Sequence, residues 1–136
     1  MTEPDSGSDA YSLRTRAVPC EGGYVLNGTK MFVTSAPLAD LALVFATVDP
    51  AKGTGGITAF LVEKDTPGLT VSRDLDKMGL RTWPMGELVL RDCRVPVESR
   101  LGQEGVGVSI FNSSMEWERS GILASHFMRK RSSVNV

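Results

Sequence analysis

Three groups of residues in this sequence have types and spacings that could do chemistry. The first is Thr2-Glu3-Pro4-Asp5-Ser6-Gly7-Ser8-Asp9. Pro4 sets φ, Gly7 permits a left-handed backbone, and the short polar side chains can bond to the nearby main chain. Such a run offers hydroxyls and backbone N–H groups to a polar ligand or a phosphate; it serves equally as a surface turn leading into a strand at Ser12–Arg16. The second is Phe32 and Thr34, which a strand of period two points to one face. A ring beside a hydroxyl can floor a flat heteroaromatic ligand, the ring packing and the hydroxyl hydrogen-bonding; a half-buried strand end reads the same way. The third is Glu116 and Glu118-Arg119. A carboxylate on a helix that meets a cleft can act as a base when burial raises its pKa, an adjacent Arg holds it down, and a solvated helix face has the same composition.

Familiar alternatives are missing. Neither the dinucleotide-binding glycine pattern nor the P-loop occurs. Cys20, Cys93 and His126 do not supply the short-spaced ligands of a zinc site, and the two cysteines are expected to be reduced thiols. His126 lies too near the C-terminal tail to be the centre of a Ser-His-Asp triad. With 15 Lys plus Arg against 16 Asp plus Glu, the net charge of −1 draws the chain toward neither nucleic acid nor anionic lipid. No apolar run approaches the roughly 18 residues of a membrane helix, and no signal peptide is written at the start.

The elements that must position these groups are mostly strands. Tyr24–Leu26, Lys30–Thr34, Leu41–Ala46, Ile57–Val62 and Gly86–Leu90 are short, rich in β-branched or aromatic residues and separated by turn formers. Asn27-Gly28 between two of them predicts a hairpin over Tyr24–Val33. Asp49–Gly56 reads as a flexible connection, and Asp65-Thr66-Pro67-Gly68 as a type I or II turn. From about Gly105 to Met128 the period changes: Val108, Phe111, Met115, Ile122 and Leu123 fall near one helical face, with Glu116, Glu118, Arg119 and Ser120 largely on others. The expectation is a mainly β chain of about one domain, a small antiparallel barrel or sandwich followed by one C-terminal helix. Its parts would be a β-domain at 1–103, a helix at 104–128 and a polar basic tail at 129–136.

Taken in order, the quoted segments resemble the middle β-domain of the acyl-CoA dehydrogenases. The series runs from Thr2–Asp9 and Tyr24–Thr34 through Gly56–Glu63, Asp76-Lys77-Met78-Gly79-Leu80-Arg81 and Glu87–Val89. It continues through Asp92–Pro96 to Leu101–Gly107, so that the match covers about residues 1 to 125. The resemblance implies a flavoenzyme in which this β-domain lies between an N-terminal helical domain and a C-terminal four-helix bundle, whose first helix would be 104–128. Both helical parts fall largely outside this sequence, which is then expected to be a piece of the enzyme, inactive alone and weak in binding FAD. The implied reaction is α,β-dehydrogenation of an acyl-CoA, with FAD as cofactor. Its partners are an electron-transfer flavoprotein or oxygen as acceptor, and homo-oligomer mates, in the cytoplasm or the mitochondrial matrix.

By position, the resemblance places Met1, Thr2, Ser8, Phe32, Val33 and Thr34 at the cofactor, and Ser8, Glu116 and Arg119 at the substrate. Phe32 stands where the family most often has Trp, keeping the apolar face and losing the indole N–H. Ser35 fits loosely the position after the threonine. Glu118, directly before the helix Arg, is the candidate base. Rival readings are a related acyl-CoA oxidase and a non-catalytic β-barrel that binds a partner.

Overall fold

The computed structural model describes the backbone of residues 1–132, with the side chains of all of these except 72, 73 and 123–132. Seven strands form one sheet: β1 (Arg16–Cys20), β2 (Gly23–Thr34), β3 (Leu41–Thr47), β4 (Ile57–Glu63), β5 (Leu69–Asp74), β6 (Met85–Pro96) and β7 (Arg100–Leu101), in the order β5-β6-β2-β1-β3-β4-β7. A single helix, α1 (Gly107–Ser132), follows. The mainly β architecture with one long C-terminal helix is as expected. The sheet is mixed, because β1 and β3 run parallel at Arg16 and Thr47, and its two edges do not close into a barrel.

The core follows from strand alternation. Leu26, Val44, Phe60, Val62, Leu90 and Cys93 are buried in one cluster, each large aliphatic or aromatic side chain contributing about 1.5–3 kcal/mol. The opposite face of β3 and β4 presents Phe45, Ile57 and Ala59 to a second cluster, closed by Val108, Ile110 and Phe111 of α1. Phe45 and Phe111 meet edge to face at 5.8 Å. Gly107 lets the helix begin on β4, since a Cβ there would stand 2.7 Å from the Ile57 carbonyl oxygen. Among the described side chains of α1, those that pack on the sheet belong to its first turns, while Trp117 and Ile122, the latter expected on the buried face, are exposed. The side chains of Leu123 and His126 lie outside the described residues. α1 includes residues 129–132 of the expected tail, and 133–136 lie outside the described residues.

Asn27-Gly28 is not a hairpin turn. β2 runs straight through it for twelve residues, and the reversal lies one step earlier, at Glu21-Gly22, where Cys20 pairs with Gly23. Asn27-Gly28 instead sits at a bulge against β6. The Asn27 side chain accepts from the Asp92 amide at 2.8 Å and donates to the Asp92 carboxylate at 3.2 Å. Gly28 has φ +153°, and any Cβ there would lie 2.8 Å from the Cα of Thr15. A glycine that admits a crossing chain carries the same dipeptide signature as a turn glycine. Ser12–Arg16 is likewise not a strand: β1 starts at Arg16, and Thr15 reaches β3 through one bond, its carbonyl accepting from the Thr47 amide at 2.8 Å. Pro50–Gly56 forms 3-10 helix interrupted by a kink at Gly53, its start capped by the Asp49 carboxylate on the Ala51 amide at 3.0 Å. The turn forms one residue later than read, over Thr66–Leu69, with Gly68 at φ +90° and the Leu69 amide bonded to the Thr66 carbonyl.

Both cysteines are free, Cys93 in the core, where burial pushes its thiol pKa up, and Cys20 half-buried. No described helix is long and apolar enough to cross a membrane.

Candidate functional site

Beyond Lys30 the ladder between β2 and β6 slips: Lys30 opposes Leu88, and the next pair is Val33 with Gly86. Phe32 takes up the slack at φ +55°. A bulky residue in that region is a backbone outlier, and such strain persists where the surrounding structure imposes it, often at ligand sites. Phe32 and Thr34 are both exposed, in alternation with their half-buried neighbours, and both line one cavity, Phe32 with 59% of its surface exposed. Ser35, at φ +61°, holds the corner after Thr34: its amide donates to the Pro84 carbonyl at 2.8 Å, and its hydroxyl accepts from the Trp83 indole at 3.0 Å.

The N-terminal segment lies beside this bulge. Glu3 and Ser6 bond to each other's backbone in a tight turn, and the Met31 amide donates to the Thr2 carbonyl at 2.9 Å. Met1 and Thr2 thereby form a wall of the same cavity, which measures about 300 Å³. Met1, Thr2, Phe32, Val33 and Thr34 all line it, and Leu41, Leu43, Leu69, Val71 and Leu88 supply further apolar surface. Five of the six positions expected at the cofactor are thus brought together. Ser8 is exposed and does not line the cavity; it follows the Glu3–Ser6 turn, whose Ser6 hydroxyl donates to the Asp9 carbonyl. Glu116, Glu118 and Arg119 are exposed on α1, and none lines the cavity.

Beneath this wall lies an ion pair that the sequence reading missed. Lys30, 2% exposed, donates to a Glu3 carboxylate oxygen at 2.6 Å, and Glu3 is 6% exposed. Glu3 also accepts from the Arg14 amide at 2.6 Å, the Thr15 amide at 3.0 Å and the Thr15 hydroxyl at 2.5 Å. Burial alone would push the Glu3 carboxyl up; the bonds from Lys30, Thr15 and Arg14 outweigh it and hold the pKa below its usual value. Burial depresses the Lys30 ammonium, with Glu3 opposing. The available signal was a lysine between Thr29 and Met31 inside a strand, which reads as solvated until the strand's inward positions are known.

An exposed aromatic ring on a strained backbone, two threonines and an apolar lining suit a flat, partly polar ring system. The volume is at the lower end for cofactor sites, so the cavity forms one wall for such a group and not a complete enclosure.

Residues 1–93 match the family model described as acyl-CoA dehydrogenase, middle domain. Over 127 residues the chain is 47% identical to an L-prolyl-[peptidyl-carrier protein] dehydrogenase of Serratia sp., covering 93% of this chain and 33% of that protein. It is 47% identical over 119 residues to the mitochondrial 2-methylacyl-CoA dehydrogenase of Solanum tuberosum, covering 88% and 29%. Among solved structures, the prolyl acyl carrier protein oxidase AnaB superposes with a TM-score of 0.88 at 54% identity, over 90% of this chain and 32% of that one. PigA with FAD and proline superposes with a TM-score of 0.84 at 48% identity, over 86% and 30%. The chain spans about a third of the length of the relatives it matches.

Proposed function

Because the chain belongs to the acyl-CoA dehydrogenase family, we propose that it supplies the β-domain wall of the FAD site in an enzyme that dehydrogenates an acyl thioester. The observation that carries this reading is the convergence of Met1, Thr2, Phe32, Val33 and Thr34 on one cavity. Bound there, FAD supplies the acceptor for the hydride leaving the β-carbon of the substrate. The Phe32 ring packs on the flat cofactor, and the Thr2 and Thr34 hydroxyls hydrogen-bond to its polar edge. The Met1 and Val33 backbones complete the wall. Glu118 is the proposed base for the α-proton, with Glu116 and Arg119 toward the substrate. All three stand on the part of α1 that lies past its packed first turns, where another domain can meet them. Ser8 is proposed on the rim, toward the substrate carrier. The divisions at 103 and 128 are proposed as the limits of the β-domain and of the helix that opens the next domain.

Titrating FAD with the purified chain, and following the quenching of flavin fluorescence, tests the wall. The expected result is weak, saturable binding that Phe32→Ala or Thr34→Ala weakens about tenfold. A chain that leaves FAD fluorescence untouched ends the reading.

A second reading concerns the substrate. The likeness to a prolyl-carrier-protein dehydrogenase and a prolyl acyl carrier protein oxidase favours a prolyl thioester on a carrier protein over an acyl-CoA. Side-by-side turnover of the two by an enzyme that includes this chain separates them. Peroxide release separates oxygen from an electron-transfer flavoprotein as acceptor.

A further inference from the structure

We propose that the buried Lys30–Glu3 ion pair is a positioning device for the flavin wall, clamping the Met1–Thr2 segment onto β2 beside the Phe32 bulge. This rests on the flavin reading above and adds two residues to it: Glu3, which does not line the cavity, and Lys30, which reaches its lining.

The pair sits where the wall needs a fixed register. Lys30 is the last residue of β2 in step with β6 before the slip, opposite Leu88. Its ammonium donates to Glu3 at 2.6 Å and reaches the Met1 carbonyl at 3.4 Å. The next residue, Met31, bonds to the Thr2 carbonyl at 2.9 Å. Two elements that contribute to the cavity, Met1–Thr2 and Phe32–Thr34, are therefore tied together from beneath by one charge pair. Glu3 in turn is tied to Arg14 and to Thr15, and Thr15 abuts Gly28 of the same strand. A pair of apolar side chains would fill this space as well or better for stability. Apolar contacts are non-directional, however, and would let the N-terminal segment slide along β2. Four directed bonds on one carboxylate do not.

The test removes both charges together, with Glu3→Gln and Lys30→Met, so that neither is left buried alone. It uses the 136-residue chain and two readouts, FAD affinity by fluorescence quenching and amide hydrogen exchange. The expected result is cooperative unfolding retained and an FAD dissociation constant raised at least about tenfold. The Met31 amide should exchange at least about tenfold faster, with the Val44 and Ala46 amides unchanged. An unchanged FAD affinity overturns the proposal, and so does a uniform rise in exchange across all strands, which marks a purely structural role. If the double variant does not fold, the wild-type chain decides. Saturating FAD should then slow exchange at Met31 and leave Val44 and Ala46 unaffected, as reciprocal coupling requires; binding without that change overturns the positioning role. A wild-type chain that binds no FAD takes down the flavin reading itself, a different result from a wild type and variant that bind equally.

Discussion

Glu3 and Phe32 carry opposite kinds of local free energy. Glu3 has a folded pKa below its usual value, so its ionised form stabilises the fold above the ordinary glutamate range. That contribution is lost as pH falls through the depressed folded value. Urea unfolding should therefore show a midpoint that is steady down to about pH 5 and then drops between the ordinary and the depressed values. Glu3→Gln at neutral pH leaves Lys30 buried without its partner and should cost about 3–5 kcal/mol, with a shallower acid slope. Phe32 works the other way. Its φ of +55° is strained for a ring-bearing residue, and the ring is mostly exposed. Phe32→Gly should raise the unfolding free energy by about 0.5–1 kcal/mol, net of glycine's larger backbone entropy. It should at the same time weaken FAD binding, as measured by denaturation and titration of the same protein. A variant that loses stability would show that the ring packs in the free chain.

At the scale of elements, β2 does most of the positioning. Its twelve residues carry two bulges, one at Asn27-Gly28 and one at Met31–Phe32. The first lets the Thr15 chain cross against the strand; the second turns Phe32 outward to the cavity. Gly28→Ala introduces a Cβ 2.4 Å from the Thr15 hydroxyl oxygen at a φ of +153°. The expected loss is more than about 1 kcal/mol, accompanied by faster exchange at the Thr15 and Thr47 amides; a neutral result would mean that the crossing segment can shift. The first turns of α1 are held on β4 by Phe111 and Val108, and the outer turns present Trp117, Glu116, Glu118 and Arg119 to solvent. The exposed side chains of residues 116–122 are available to a second domain.

On the scale of the whole molecule, the loop between β5 and β6 carries the two most exposed large apolar side chains among the described residues. Met78 and Leu80 are 103% and 82% exposed, and Trp83 stands beside them. Large apolar side chains left exposed on one loop are candidates for an interaction face. The chain should self-associate with rising concentration in light scattering and bind a hydrophobic dye. Met78→Lys with Leu80→Lys should suppress both without lowering the thermal midpoint, because neither side chain is buried here. Dye binding unchanged by the substitutions would place the sticky surface elsewhere, with the exposed Leu38, Leu41 and Leu43 as the next patch.

The sequence by itself determined the strands at Leu41–Ala46 and Ile57–Val62, each one residue short of its structural end, a turn around Pro67-Gly68, the helix after Gly105 and the family. Each of these is written in short-range pattern, in residue type at fixed spacing, or in an ordered series of such segments. Tertiary structure alone decided that Asn27-Gly28 is a bulge, that the sheet is mixed and open, and that Lys30 and Glu3 form a buried pair. A glycine's type says that a side chain is forbidden and not whether its own φ or a neighbouring chain forbids it. A charged residue's type says that it needs a partner or water and not which of the two the fold provides. Both answers depend on what lies opposite in space, here Thr15 against Gly28 and Glu3 against Lys30, and that information is distributed over residues far apart in the chain.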